Sequence, residues 1–148
     1  MFNDTVTVFN YIEDKKKGIY EWYVSVIHKV ETQISKGQNV MKSGNENADT
    51  LYLSIPLTIS NNKMFADGIE YCKPNAFKTL ESKENTFTLG EKDFIAIGDY
   101  SNMSGNVVNE NDYPGGLFEY MKKTYDDVYN INSVDIFKGI PHIEVGGK

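Results

Sequence analysis

Apolar and polar positions alternate along most of this chain, and the longest such run is Ile19 to Ile34, IYEWYVSVIHKVETQI. Tyr20, Trp22, Val24, Val26, His28 and Val30 form one set, and Glu21, Tyr23, Ser25, Ile27, Lys29 and Glu31 the other. A period of two predicts a half-buried β-strand, with the first set on the core side. Sixteen residues at roughly 3.3 Å each would span about 50 Å. Strands usually hold about 5–6 residues, so this one is expected to bend or to pass from one sheet into another.

The other elements read as shorter pieces laid against it. Thr5 to Ile12 is β-branched and aromatic and predicts a strand. The polar turn EDKKKG, Glu13 to Gly18, joins it to the long run as a hairpin. Thr50 to Ser60 places Leu51, Leu53, Ile55, Leu57 and Ile59 on one face, with Pro56 marking an edge or a bulge. Asn61-Asn62 begins a turn, and Ile69 to Lys73 predicts a short strand stopped by Pro74. Pro74 to Lys83 fits either a helical turn or a loop. Thr86 to Leu89 and Phe94 to Ile97 read as strand, tight turn, strand. Leu117, Tyr120, Met121, Thr124, Tyr125 and Val128 follow helical spacing, so a helix is predicted over Leu117 to Val128. Ile131 to Phe137 and Ile140 to Val145 are the final strands, turning at Lys138-Gly139.

About eight strands and one late helix predict a mostly β fold. The expected form is a small antiparallel β-barrel or curved sheet, as a single domain over residues 1–148, with one helix in the C-terminal half. Two long polar segments interrupt it, Lys36 to Asp49 and Gly98 to Gly116. Long loops on a rigid scaffold are where contacts with partners concentrate.

Composition narrows the function classes. The net charge is −6, and all 15 basic residues are Lys. An acidic chain without Arg lacks the bidentate groups that grip phosphate and guanine, which disfavours nucleic-acid binding. Abundant Lys and Asn also fit the codon bias of an AT-rich genome. Cys72 is the sole cysteine, so neither an internal disulfide nor a cysteine metal cluster is available. No apolar run reaches the roughly 20 residues of a membrane span, and MFNDTVTVF lacks the form of a signal peptide. These features predict a soluble protein of the cytoplasm, or one assembled there, with no membrane partner.

Candidate chemistry is sparse. His28 reads as a partly buried, hydrogen-bonded strand residue rather than a general base. His142 with Glu144 lacks the further ligands of a zinc site. Cys72 reads as a free, partly buried thiol. Asp126-Asp127 point in different directions on a helix and cannot share a proton. Gly115-Gly116 reads as a loop end more than an anion cradle, and Lys15 to Lys17 as a solvated hairpin tip. No catalytic residue, cofactor or metal is therefore expected. The candidate functional residues lie in the loops: Asp99, Tyr100, Asn102, Asn106, Asn109, Glu110, Asp112 and Tyr113 in the later one, and Lys36, Gln38, Asn39, Lys42 and Asn45 in the earlier one.

Three stretches carry a family resemblance. FNDTVTVFNYIEDKKKGIYEWYVSVIHKV, with Asn3-Asp4-Thr5-Val6-Thr7 and then Trp22-Tyr23, resembles the start of small minor capsid or head-completion proteins of tailed bacteriophages. TFTLGEKDFIAIGDY, Thr86 to Tyr100, resembles the same group's central strand pair. PHIEVGGK, Pro141 to Lys148, is similar to its final strand, with Ile143 where an aromatic commonly follows the His. The resemblance implies a head–tail connector of the stopper or head-closure type, a structural virion protein at the phage neck and not an enzyme. It further implies a homo-oligomeric ring of roughly six or twelve subunits. A portal or adaptor would lie on the head side, a tail terminator or completion protein on the tail side, and DNA would pass through the channel. A tail terminator or other tail component is a neighbouring reading. A small β-barrel enzyme or ligand-binding module, with a His in a pocket, is the reading from another class.

Overall fold

The computed structural model describes residues 2–36, 49–103 and 106–148. The chain is mostly β, with 53% of residues in strands, and six antiparallel strands close into a barrel. The first hairpin is as the sequence predicts: β1 (Asp4–Asp14) pairs with β2 (Ile19–Ser35) along its whole length. The barrel then continues through β3 (Thr50–Pro56), β8 (Phe94–Ile97), β10 (Val128–Phe137) and β11 (His142–Gly147). Around the barrel the order is β1, β8, β10, β11, β3, β2, and the β1–β2 pairing closes it.

The expected bend in the long strand is present. One edge of β2 pairs with β1 from Ile19 to Val30, while its opposite edge pairs with β3 only from Glu31 to Ser35. The face assignment for β2 needs correction. Val6 and Val8 of β1 point into the barrel, so their partners Ile27 and Ser25 do too. Trp22 and Val24 lie outside, in a separate apolar cluster. Lys29 then takes φ 60°, and the register slips between Asp4 and Thr5. A one-residue bulge moves every later side chain to the other face. Val30 and Ile34 therefore face inward with Ile27, although their positions differ from it in parity. His28 ends up exposed on the outside, where its Nδ1 lies 3.0 Å from Thr5 Oγ1. It is hydrogen-bonded as expected but not buried.

A second, four-stranded sheet sits on the interior cluster. It comprises β4 (Thr58–Ser60), β5 (Lys63–Ala66), β6 (Ile69–Tyr71) and β7 (Thr86–Phe87). Leu57, Ala66, Tyr71, Phe87 and Leu89 join the barrel interior, so this sheet closes one mouth. Thr50 to Ser60 is thus two strands broken at Leu57, and Ile59 is exposed rather than on the buried face. Asn61 and Asn62 both adopt positive φ, the signature of a two-residue hairpin turn. The anticipated hairpin of Thr86 to Ile97 does not form. β7 pairs with β6 in parallel, whereas β8 pairs with β1 and β10 in the barrel. Pro74–Thr79 is a short helix, α1.

Buried Asp93 explains why the chain leaves one sheet for the other at this point. It is 4% exposed and accepts from Tyr11 N–H (2.8 Å), Gly90 N–H (2.8 Å) and Asn10 Nδ2 (3.0 Å). Asn10, itself buried, also donates to the Thr88 carbonyl and accepts from Thr88 N–H. One carboxylate and one amide side chain thereby replace the ladder bonds that a hairpin would have made. Burial pushes the Asp93 carboxyl above the ordinary range, while its three donors oppose the shift. Asp93→Ala would strand all three donors and should cost about 2–4 kcal/mol in urea unfolding. Asp93→Asn, which keeps two of the acceptor contacts, should cost less. Equal losses for both would show that the carboxylate does not hold this crossing.

Candidate functional site

The segment predicted as an irregular loop from Gly98 to Gly116 is largely ordered against the outer face of the barrel. Val107–Asn109 forms β9, which adds to β2 through Glu21, Trp22 and Tyr23. Glu110–Asp112 is a turn of 3-10 helix, and α2 (Leu117–Thr124) follows. The helix is shorter than predicted, because Val128 begins β10. Leu117 and Met121 of α2 pack with Phe9, Trp22, Phe94, Ala96, Val108 and Val128. Phe9 and Phe94 stack with ring centroids 4.4 Å apart.

Glu110 is the centre of this outer layer. Its Oε1 accepts from the indole Nε1–H of buried Trp22 at 2.9 Å and from Leu117 N–H at 2.6 Å. The carboxylate thus satisfies an open amide at the start of α2 and fixes the one Trp against it. Gly116 makes room for it. Its φ is +94°, and a Cβ there would lie 3.1 Å from the Glu110 carboxylate oxygens.

The other candidate residues divide into two groups. Tyr100 stacks edge-on against Tyr125 at 4.8 Å, and its N–H donates to Thr7 Oγ1. Tyr113 packs against Tyr120, also at 4.8 Å. These two hold the segment down. Asp99, Asn102, Asn106, Asn109 and Asp112 are exposed. The Ser101 side chain and then its N–H, which donates to Asp99, hold the Asp99 carboxyl below the ordinary range, and Asn109 caps the 3-10 turn through Asn111 N–H. In the earlier segment Lys36 pairs with Asp49 at 3.1 Å. Gln38, Asn39, Lys42 and Asn45 lie outside the described residues.

The two His do not meet. On the outer face of β11, His142 Nε2 bonds Glu144 at 2.8 Å and its Nδ1 bonds the Ile140 carbonyl at 2.6 Å. Both partners are acceptors, an arrangement that favours the doubly protonated imidazolium, which can donate from both ring nitrogens. Tyr52 of β3 donates to the other oxygen of Glu144, and Phe137 stacks flat on the His142 ring. The bond to Glu144 is the largest cause raising the His142 pKa, and the same chain of donors lowers that of Glu144. The His142–Glu144 spacing was visible in the sequence. The contribution of Tyr52 depends on β3–β11 register and was not.

Sequence reasoning also missed an open groove of about 870 Å³ at the mouth closed by the small sheet. Tyr11, Pro74, Phe77 and Leu89 supply its apolar lining, and Lys15, Lys16, Lys78 and Lys92 its cations. Burial pushes the Tyr11 hydroxyl up to about 12. Half-buried Cys72 is a free thiol, and burial raises its pKa, which disfavours a nucleophilic thiolate. Among the described residues no three His, Cys, Asp or Glu side chains converge as a metal site. No described helix is long and apolar enough to cross a membrane.

A family model described as a family of unknown function (DUF6751) matches residues 1–148, the whole chain, so the chain belongs to that family. No curated protein and no solved structure gives a significant match.

Two outcomes test this description. Glu110→Ala should cost about 1–3 kcal/mol, because the Trp22 indole and Leu117 N–H lose their acceptor, and Trp22 emission should shift with it. An unchanged stability and spectrum would rule out its central place. The His142 signal should titrate above about 6.5 by NMR, and Glu144→Gln should move it back down. The sign for folding follows from the raised value. The contribution is complete below about 6.5 and is lost as pH rises through the folded-state value.

Proposed function

We propose that this member of the DUF6751 family is a structural virion protein of the phage head–tail interface, one subunit of a head-closure or connector ring. The observation that carries the reading is the filled barrel. Val6, Ile27, Leu53, Ile55, Ile95 and Ile143 are 0% exposed and occupy its centre, so no ligand can lie within. The outer face of β1 and β8 is covered as well, by α2 and the segment anchored through Glu110. Function then falls to the surface and its loops, which suits a protein whose work is contact with copies and neighbours.

The resemblance of Asn3 to Thr7, Trp22-Tyr23 and Pro141 to Lys148 to head-completion proteins supplies the location. The acidic balance supports it further. A wall of like charge leaves a passing polyanion mobile, where an Arg-rich wall would hold it. Exposed Asp99, Asn102, Asn106, Asn109 and Asp112 are the candidates for facing the channel or a neighbouring subunit. The portal or adaptor would dock at one end of the ring, and the tail terminator or completion protein at the other.

The decisive experiment is to purify particles from a lysogen that encodes the protein, then apply mass spectrometry and gold-labelled antibody. Label at the head–tail junction of tailed particles is the expected result. Particles free of the protein, with all of it in the soluble fraction, would overturn the virion assignment.

A further inference from the structure

A row of carboxylates crosses the outer face of β10, β11, β3 and β2. The antiparallel registers set Asp135 opposite Glu144, Glu144 opposite Ser54, and Ser54 opposite Glu31. Ile143 and Val145 are fully buried, so Glu144 and His142 between and beside them point outward. The Tyr52 hydroxyl is held above its ordinary range by this row. Its bond to Glu144 is the largest cause, followed by burial and the charges of Glu144, Asp135 and Glu31. Like charges opposite one another in a sheet repel. Among the described residues, the ion pair that this row makes within 4.0 Å is Glu144 with His142.

His142 also ties the row to the β10–β11 turn. Its Nδ1 lies 2.6 Å from the Ile140 carbonyl and its Nε2 2.8 Å from Glu144. The ring stacks flat on Phe137, its partner across the turn. The turn is otherwise open to water, with Ile140 81% exposed. Next to it, the Pro141 carbonyl accepts from Leu57 N–H at 3.0 Å. Leu57 stands at the break between β3 and β4 and packs with the barrel interior. The turn therefore bears on the point where the chain leaves the barrel for the small sheet.

A neutral imidazole has one N–H and one lone pair. It cannot donate to both oxygens, so one of them would face a lone pair and draw away. Loss of the proton also returns Glu144 to its repulsion with Asp135, and Glu31 adds to it. Both effects loosen the same turn. We propose that His142 is a pH-dependent latch, which pins the β10–β11 turn when its ring is charged and frees the turn, with the Leu57–Pro141 bond beside it, when its ring is neutral. The titratable groups around the ring are Glu144 on its own strand, Asp135 on β10, Tyr52 on β3 and Glu31 on β2, and Lys138 lies in the turn. The bonds to Glu144 and to the Ile140 carbonyl raise the folded-state value above about 6.5. The latch holds below that value and opens as pH rises through it. The pair is 24% and 30% exposed, so water screens it and the opening is local.

Hydrogen exchange followed by NMR on the full chain tests it, with rates corrected for the intrinsic pH dependence of exchange. From about pH 5.5 to about 8.5, protection of the Leu57 N–H should fall about two- to fivefold, the range an exposed ion pair supplies. The midpoint should match the titration of the His142 ring. Amides of the β1–β2 ladder should keep their protection. His142→Gln and Glu144→Gln alter partly exposed side chains, and circular dichroism should confirm an intact fold. Each should hold Leu57 at its high-pH protection with no titration. Asp135→Asn should reduce the fall, since the released Glu144 then meets no charge across the strand pair. Constant Leu57 protection while His142 titrates, a Leu57 titration that survives His142→Gln, or a loss shared equally by the β1–β2 ladder would each overturn the proposal.

Discussion

Closure of the barrel rests on β2. This strand must pair with β1 along one edge and with β9 and then β3 along the other. Seventeen residues cannot do that while remaining straight. The bulge at Lys29 resolves the conflict. A positive φ at a Lys costs of order 1 kcal/mol or more. In return it bends the strand and turns Val30 and Ile34 inward, where they meet Leu51 and Leu53 of β3. Without it, Glu31 and Gln33 would point into the core. A second slip in β10, between Ile131 and Ser133, does the same on the far side of the barrel. There a Cβ on Gly146 would clash with Ser133 Oγ, so a larger residue would force that side chain to turn away.

The outer layer depends on that geometry. Residues of β2 before the bulge turn Trp22 and Val24 outward, which would leave a large aromatic surface in water. β9 and α2 cover it, and Glu110 ties both to the indole. The polar segment from Gly98 to Gly116 is therefore the price of the exterior Trp as much as a functional loop. Its glycines, asparagines and aspartates serve turns and caps, and its tyrosines pack on α2 and on Tyr125. The side chains left in solvent are fewer than its length suggests.

Much of the fold was legible because period two is a local signal. The β1–β2 hairpin, the strand at β3, the Asn61-Asn62 turn and the β10–β11 pair all follow from neighbouring residues. The errors occur where long-range pairing decides. Nothing in the hydrophobicity around Lys29 announces a bulge, so the core face of β2 was carried through unbroken. Thr86 to Ile97 looks like a hairpin locally, yet Asn10, some 80 residues upstream, and buried Asp93 divert it into two sheets. Val107 and Val108 are too few to mark β9 until Trp22 supplies the opposing strand. The candidate loop was legible as a span, whereas the hold of Glu110 on Trp22 crosses 88 residues and was not. The groove was invisible for the same reason. Its lysines come from the β1–β2 turn, α1 and the turn before β8, and only the fold assembles them.

Antiparallel closure also sorts the connections. Each turn falls at one mouth or the other, so the residue types that turns recruit become a property of the two ends. Asp99 and Asn102 sit in connections where side-chain acceptors satisfy turning backbone. The long β1–β2 hairpin needs only to stay soluble and unpaired at its tip, and Lys serves that purpose. The end with the groove sets Lys15, Lys16, Lys78 and Lys92 against Glu13, Asp14, Glu91 and Asp93, so strand direction and turn chemistry bring charges of both signs to one mouth of a chain whose net charge is −6.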